Sequence, residues 1–192
     1  SASPADGDLP PGTVLGNYRV ERLMGRGGMG AIYTGVNIYN AAERVAIKTI
    51  LPDETAGERF EKHLLDESNA LMRVRHDAVV PYRTYGRVGE HGAYYLVLEF
   101  IDGEPLDDFY ARRPLSEKEL FALARRLAAG LEAAHEEGLV HRDVAPDNVL
   151  LPQSQLERAT LIDFGIAKIG EADGLAGAQF AGKLSFAAPE QF

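Results

Sequence analysis

The 192-residue sequence contains no cysteine and no tryptophan. Without cysteine, disulfide frameworks, Cys-ligated zinc, iron–sulfur clusters and thiol nucleophiles are excluded, and nothing points to an oxidising compartment. Positive charge is scarce: 20 basic residues face 29 acidic ones. The resulting formal charge of −9 argues against a general affinity for nucleic acid or anionic membrane. Long apolar runs are missing too. The longest, Tyr94 to Ile101, is interrupted by Glu99 and is far too short to cross a bilayer. The opening segment, SASPADGDLPPG, lacks the basic-then-apolar order of a signal peptide, so a cytoplasmic protein is the default expectation. What is present is ordinary for a globular chain, 45% hydrophobic and 26% charged, which sets aside disordered and fibrous classes.

Residues 1–12 read as a disordered leader. From Leu15 to Ile50, runs of β-branched and aromatic residues are cut by glycines, which predicts strands at Tyr18–Leu23, Ala31–Val36 and Arg44–Ile50. Thr55 to Val74 switches to helical period, with Phe60, Leu64, Leu71 and Val74 on one stripe and Glu67 within it. Two more strands are expected at Pro81–Val88 and Tyr94–Ile101, around a Gly-Glu-His-Gly turn. The second half differs. Ser116-Glu-Lys-Glu119 is a capping box, and Leu120, Leu123, Leu127, Leu131 and Ala134 follow at helical spacing until Gly138 stops the helix. Loop-like pieces come next: HRDVAPDNVLL, LIDFG, and a Gly/Ala-rich stretch ending in AAPE. The pattern predicts an α+β protein, a β-rich lobe followed by a helical one.

Gly25-Arg-Gly-Gly-Met-Gly30 fits G-x-G-x-x-G, a spacing that lets backbone amides approach a phosphate. On its own, a ligand-free hairpin turn explains it as well. A Rossmann reading requires a helix next, whereas AIYTGV reads as a strand. GAQFAGK at 177–183 is similar to a Walker A loop, but Leu184 stands where a Ser or Thr must hold Mg²⁺. Val45-Ala-Ile-Lys48 places a lysine at the end of an apolar strand. Glu67, on the apolar stripe of the next helix, needs a cationic partner to be buried, and Lys48 is the natural candidate. His141-Arg-Asp143 with Asn148, followed by Asp163-Phe-Gly165, supplies hard oxygen ligands for Mg²⁺ and a base near a hydroxyl.

In this order GRGGMG, VAIK, Glu67, HRDVAPDN, DFG and AAPE resemble the signature set of eukaryotic-like Ser/Thr protein kinases, particularly the bacterial ones, from about Leu15 to Glu190. The resemblance implies a bilobal protein-kinase-like fold. Residues 13–101 would form a five-stranded antiparallel N-lobe with the Gly-rich loop and one helix. Residues 102–192 would form a partial helical C-lobe holding the catalytic loop, DFG and the activation segment. It further implies that ATP and Mg²⁺ occupy the cleft and that the γ-phosphoryl group passes to a Ser/Thr hydroxyl of a protein substrate. Gly25, Gly27, Gly28 and Gly30 would then cover the phosphates, Lys48 would bind the α/β-phosphates, and Glu67 would orient it. Asp143 becomes the base, with Asn148 and Asp163 the Mg²⁺ ligands. Met24, Ile32, Ala46 and Leu150 would sandwich the adenine, with Leu98 beside it and Glu99 to Ile101 as hinge. Plain core packing accounts for those apolar positions equally well.

Three departures qualify this reading. Ala145 occupies the place where the catalytic loop of these kinases usually carries a lysine, and Lys183 the place of a usual threonine. Lys183 is therefore a candidate to replace the missing charge, against the plainer reading of a solvated lysine. The activation segment, Asp163 to Glu190, has Ser185 as its only hydroxyl, although Arg142 has the position usually associated with pairing to a phosphorylated loop residue. Finally, the chain stops at Phe192, whereas the family continues through several more helices. A fragment is expected, with self-association through the exposed underside of the C-lobe. The rival function is a pseudokinase or nucleotide-binding scaffold, active only when completed by a missing C-lobe or a partner chain.

Overall fold

The computed structural model describes residues 9–27, 30–51, 57–89, 92–164 and 186. The chain divides into two compact units, Ser1–Glu61 with Tyr82–Phe100, and Lys62–Pro81 with Ile101–Phe192.

The first unit is an antiparallel sheet of six strands: β1 (Val14–Leu15), β2 (Tyr18–Gly27), β3 (Gly30–Asn37), β4 (Asn40–Ile50), β5 (Tyr82–Arg87) and β6 (Tyr94–Glu99), in the order β1-β2-β3-β4-β6-β5. The five strands legible in the sequence are all there. The sixth, β1, is two residues long and pairs with β2 around Gly16, whose φ of +57° suits glycine. One face of the sheet carries Val20, Tyr33, Val45, Ile47 and Val97 into a core. Leu9 joins that core, and its N–H donates to the Tyr33 hydroxyl at 3.1 Å. This corrects the expected leader of residues 1–12. Residues 9–12 belong to the fold, because the one leucine of a polar segment finds an apolar seat and Gly12 donates to the Val20 carbonyl. Residues 1–8 lie outside the described residues.

α1 (Gly57–Leu71) crosses the division between the units. The sequence assigned it to the first lobe, with the boundary at residue 101. The structure instead groups Lys62–Pro81 with the second unit, for a reason that pattern alone does not reveal. The segment after the helix is tied there by Leu161 N–H to the Ala78 carbonyl, Val80 N–H to the Leu161 carbonyl, and an Arg73–Glu137 ion pair at 2.6 Å. The rest of the second unit comprises β7 (Gly103–Pro105), α2 (Leu106–Arg112), α3 (Glu117–Glu136), β8 (Val149–Pro152) and β9 (Thr160–Leu161). The three strands form a small antiparallel sheet, and Val149, Leu151 and Leu161 pack with Leu106, Phe109 and Leu123 of the helices. The presumed loop HRDVAPDNVLL thus ends in a 3₁₀ turn and a strand.

α3 has the ends its sequence announced. Ser116 Oγ accepts from the Glu119 amide, and the Glu119 carboxylate accepts from the Ser116 amide at 2.9 Å. Arg113 and Ser116 together hold the Glu119 carboxyl down to about 2. At the other end Gly138, with φ +79°, donates to the His135 carbonyl. Mid-helix, Gly130 lets α3 approach closely, since a Cβ there would stand 3.0 Å from that of Ala78. Ser116→Ala is expected to cost about 1 kcal/mol, roughly 2–4 °C in Tm. Thermal unfolding checks this, and an unchanged Tm would contradict the capping role.

Candidate active site

In the first unit the register sorts the candidate residues. Ile32 lies opposite Lys48, Thr34 opposite Ala46, and Ala46 opposite Leu98. Directly opposed residues share a face of a sheet. Ile32, Ala46, Lys48 and Leu98 are therefore together, on the face away from Val45 and Ile47. The glycines of the loop differ in what they are for. A side chain at Gly25 or Gly27 would meet nothing within 4 Å, so the space above them is open. At Gly30 a Cβ would fall 1.9 Å from the Thr49 carbonyl oxygen, and φ is +151°, so the fold itself requires glycine. Met24 is half exposed at a register shift of β2. At the end of β6 Glu99 accepts from Arg83 at 2.6 Å, and the Phe100 N–H donates to the Arg44 carbonyl. Gly28 and Lys183 lie outside the described residues.

The second unit contains Ile101, Leu150, Glu67 and the catalytic-loop candidates. Leu150 is partly exposed between Val149 and Leu151, which are buried in the core. His141 is 1% exposed. Its Nδ1 accepts from the Asp143 N–H at 3.3 Å, so Nε2 carries the proton and donates to the Ile162 carbonyl at 3.0 Å. The ring also packs on Phe164, with centroids 4.5 Å apart. Asn148, also buried, spends its amide N–H groups on Asp143, donating to the backbone carbonyl at 2.8 Å and to carboxylate Oδ2 at 3.0 Å. The Asn148 backbone carbonyl accepts from the Ile162 N–H at 2.9 Å. Asp143, Asn148 and the residue before Asp163 are thereby joined. Arg142 and Asp163, flanking this group, both have φ of +62°, a conformation that costs a non-glycine residue about 1–2 kcal/mol.

Glu67 has a partner that sequence reasoning missed. Its Oε1 accepts from Arg142 Nη1 at 3.0 Å, inside the second unit. The sequence contained both halves of this pair, an anion on an apolar stripe and a cation beside Asp143. They stand 75 residues apart, and only the docking of residues 62–81 on the second unit joins them. Burial pushes the Glu67 carboxyl above its ordinary value of 4.5, and the pull of Arg142 offsets this only in part. A raised carboxyl contributes stability that is complete below 4.5 and is lost as the pH rises through its folded value. Glu67→Gln removes that titration. Its Tm should gain on that of the wild type as pH climbs from about 4.5 to 7. A difference that shrinks with pH would contradict the direction of the shift.

Comparisons with known proteins agree with this geometry. The family model of the protein kinase domain matches residues 18–192. Among curated proteins, the chain is 39% identical over 166 residues to the serine/threonine-protein kinase pkn2 of Myxococcus xanthus, covering 85% of this chain and 20% of that one. It is 34% identical over 183 residues to the serine/threonine-protein kinase PknD of Mycobacterium tuberculosis, covering 94% of this chain and 27% of that one. The chain thus spans a fifth to about a quarter of these two relatives. Among solved structures, the kinase domain of Mycobacterium tuberculosis PknI aligns with a TM-score of 0.70 at 30% identity, over 83% of this chain and 62% of that one. The sheet with its glycine hairpin, the loop built on His141, Asp143 and Asn148, and these likenesses converge: the chain belongs to the protein kinase domain family.

Proposed function

We propose that this chain is the nucleotide-binding and catalytic part of a Ser/Thr protein kinase, which moves the γ-phosphoryl group of ATP, with Mg²⁺, to a Ser or Thr hydroxyl of a protein. The observation that carries the reading is the double hydrogen bond from Asn148 to Asp143. It fixes the carboxylate in the orientation a base needs before substrate arrives. The acceptor hydroxyl oxygen attacks the γ-phosphorus, the bond to the β,γ-bridging oxygen breaks, ADP leaves with the electron pair, and the hydroxyl proton passes to Asp143. With its N–H groups engaged, Asn148 keeps an amide oxygen as acceptor, and Asp163 adds a carboxylate. Two hard oxygens suit Mg²⁺, which when bound neutralises phosphate charge.

On the first unit Lys48 is the cation for the α/β-phosphates. Ile32, Ala46 and Leu98, on the same sheet face as Lys48, offer an apolar surface for adenine. The open space over Gly25 and Gly27 leaves room for phosphates. Lys183 is proposed to supply the charge absent at Ala145. The protein acceptor is supported by the AAPE segment and by the relatives' description as serine/threonine-protein kinases. Self-association through the apolar underside of the C-lobe is part of the same proposal. Among the described residues no helix is long and apolar enough to cross a membrane.

Asp143→Asn should lower transfer to a protein substrate by at least about 100-fold while nucleotide affinity stays near wild type. Transfer that survives the substitution would overturn the reading. Lys183→Ala should reduce turnover at saturating ATP with nucleotide affinity retained. An unchanged turnover number would remove Lys183 from the site.

A further inference from the structure

The outer part of the β2–β3 hairpin, which carries the glycine loop, is held from the β3 side. Along β2 every residue from Glu21 to Gly27 is exposed, and the backbone ladder between β3 and β4 ends at the pair Ile32 and Lys48. One rung further out, a side chain takes the place of the backbone. The Thr49 hydroxyl accepts from the Ala31 N–H at 2.9 Å and donates to the Ala31 carbonyl at 3.2 Å. Thr49 is 1% exposed, so this exchange takes place away from water, where unpaired groups are costly. A second contact falls on the same residue. Gly30, the last glycine of the loop, rests against the Thr49 carbonyl so closely that any Cβ would collide with it.

We propose that Thr49 is the positioning residue of the phosphate cover. Its hydroxyl and carbonyl staple the return end of the glycine loop to the strand that presents Lys48. The inference rests on the ATP-binding reading given above. Successive residues of a strand point to opposite faces, so Lys48 faces the open side while Thr49 faces the core. The two phosphate-binding elements are thus set against each other by adjacent residues of one strand. Losing the hydroxyl would leave the loop in place but let its end move relative to Lys48. The effect should therefore fall on nucleotide binding rather than on the chemical step.

The pair Thr49→Val and Thr49→Ser separates hydroxyl from shape, since valine keeps the branched volume and serine keeps the hydrogen bonds. In Thr49→Val the KM for ATP should rise roughly tenfold, with kcat at saturating ATP within about twofold of wild type, because two buried backbone groups lose their partner. Thr49→Ser should stay near wild type in both. Equal KM values for wild type and valine variant, or equal losses in both variants, would overturn the proposal. Amide exchange at Ala31, measured without nucleotide, examines the staple by itself: protection should fall in Thr49→Val and persist in Thr49→Ser. Unchanged protection in the valine variant would also overturn it. A wild-type protein with Ala31 protected but no affinity for ATP would instead overturn the kinase reading, and the positioning role with it.

Discussion

The buried amide of Asn148 is the constraint on which the second unit's chemistry depends. It binds the Asp143 backbone and carboxylate together, while the backbone carbonyl of the same residue receives the Ile162 amide. Two segments distant in sequence thereby become one body. His141 reinforces the joint from the core side, accepting a hydrogen bond from the Asp143 amide at one ring nitrogen and donating one to the Ile162 carbonyl at the other. This over-determination accounts for the left-handed backbone at Arg142 and Asp163. Such strain persists where surrounding contacts outweigh it, and it turns those side chains in directions an ordinary loop would not.

The first unit solves a different problem with the pleat of a sheet. One face of β4 feeds Val45, Ile47 and Thr49 into the core, while the other presents Ala46 and Lys48. Stability and ligand recognition are thus assigned to alternate residues of one strand. The glycine loop belongs to both: open over Gly25 and Gly27, closed against the backbone at Gly30.

Much of this was legible in the sequence. The five main strands, α3 with its capping box and Gly138 stop, and the ordered motifs from GRGGMG to DFG depend on local patterns that short windows reveal. The rest depends on pairing at a distance. Leu9 read as leader because one leucine has no period, yet it fills the core beside Tyr33. The place of residues 62–81 followed from hydrogen bonds to Leu161, which no composition shift marks. Glu67 was recognised as an anion in need of a cation, but Arg142 comes to it only through the fold. Thr49 carried no motif at all, and its meaning lies in the end of a ladder that only a register defines.

The central claim is that the loop bearing Asp143 is built by the fold and stands ready before nucleotide arrives. Amide hydrogen exchange of the nucleotide-free protein tests it most directly at Asp143 and Ile162, whose N–H groups are donated to His141 Nδ1 and to the Asn148 backbone carbonyl. The account predicts that both amides are protected without ATP, and that in Asn148→Ala the Asp143 amide loses protection while Ile162, bonded to a backbone carbonyl that alanine keeps, retains it. Exchange at the rate of an open loop, with protection appearing only when ATP and Mg²⁺ are added, would contradict it.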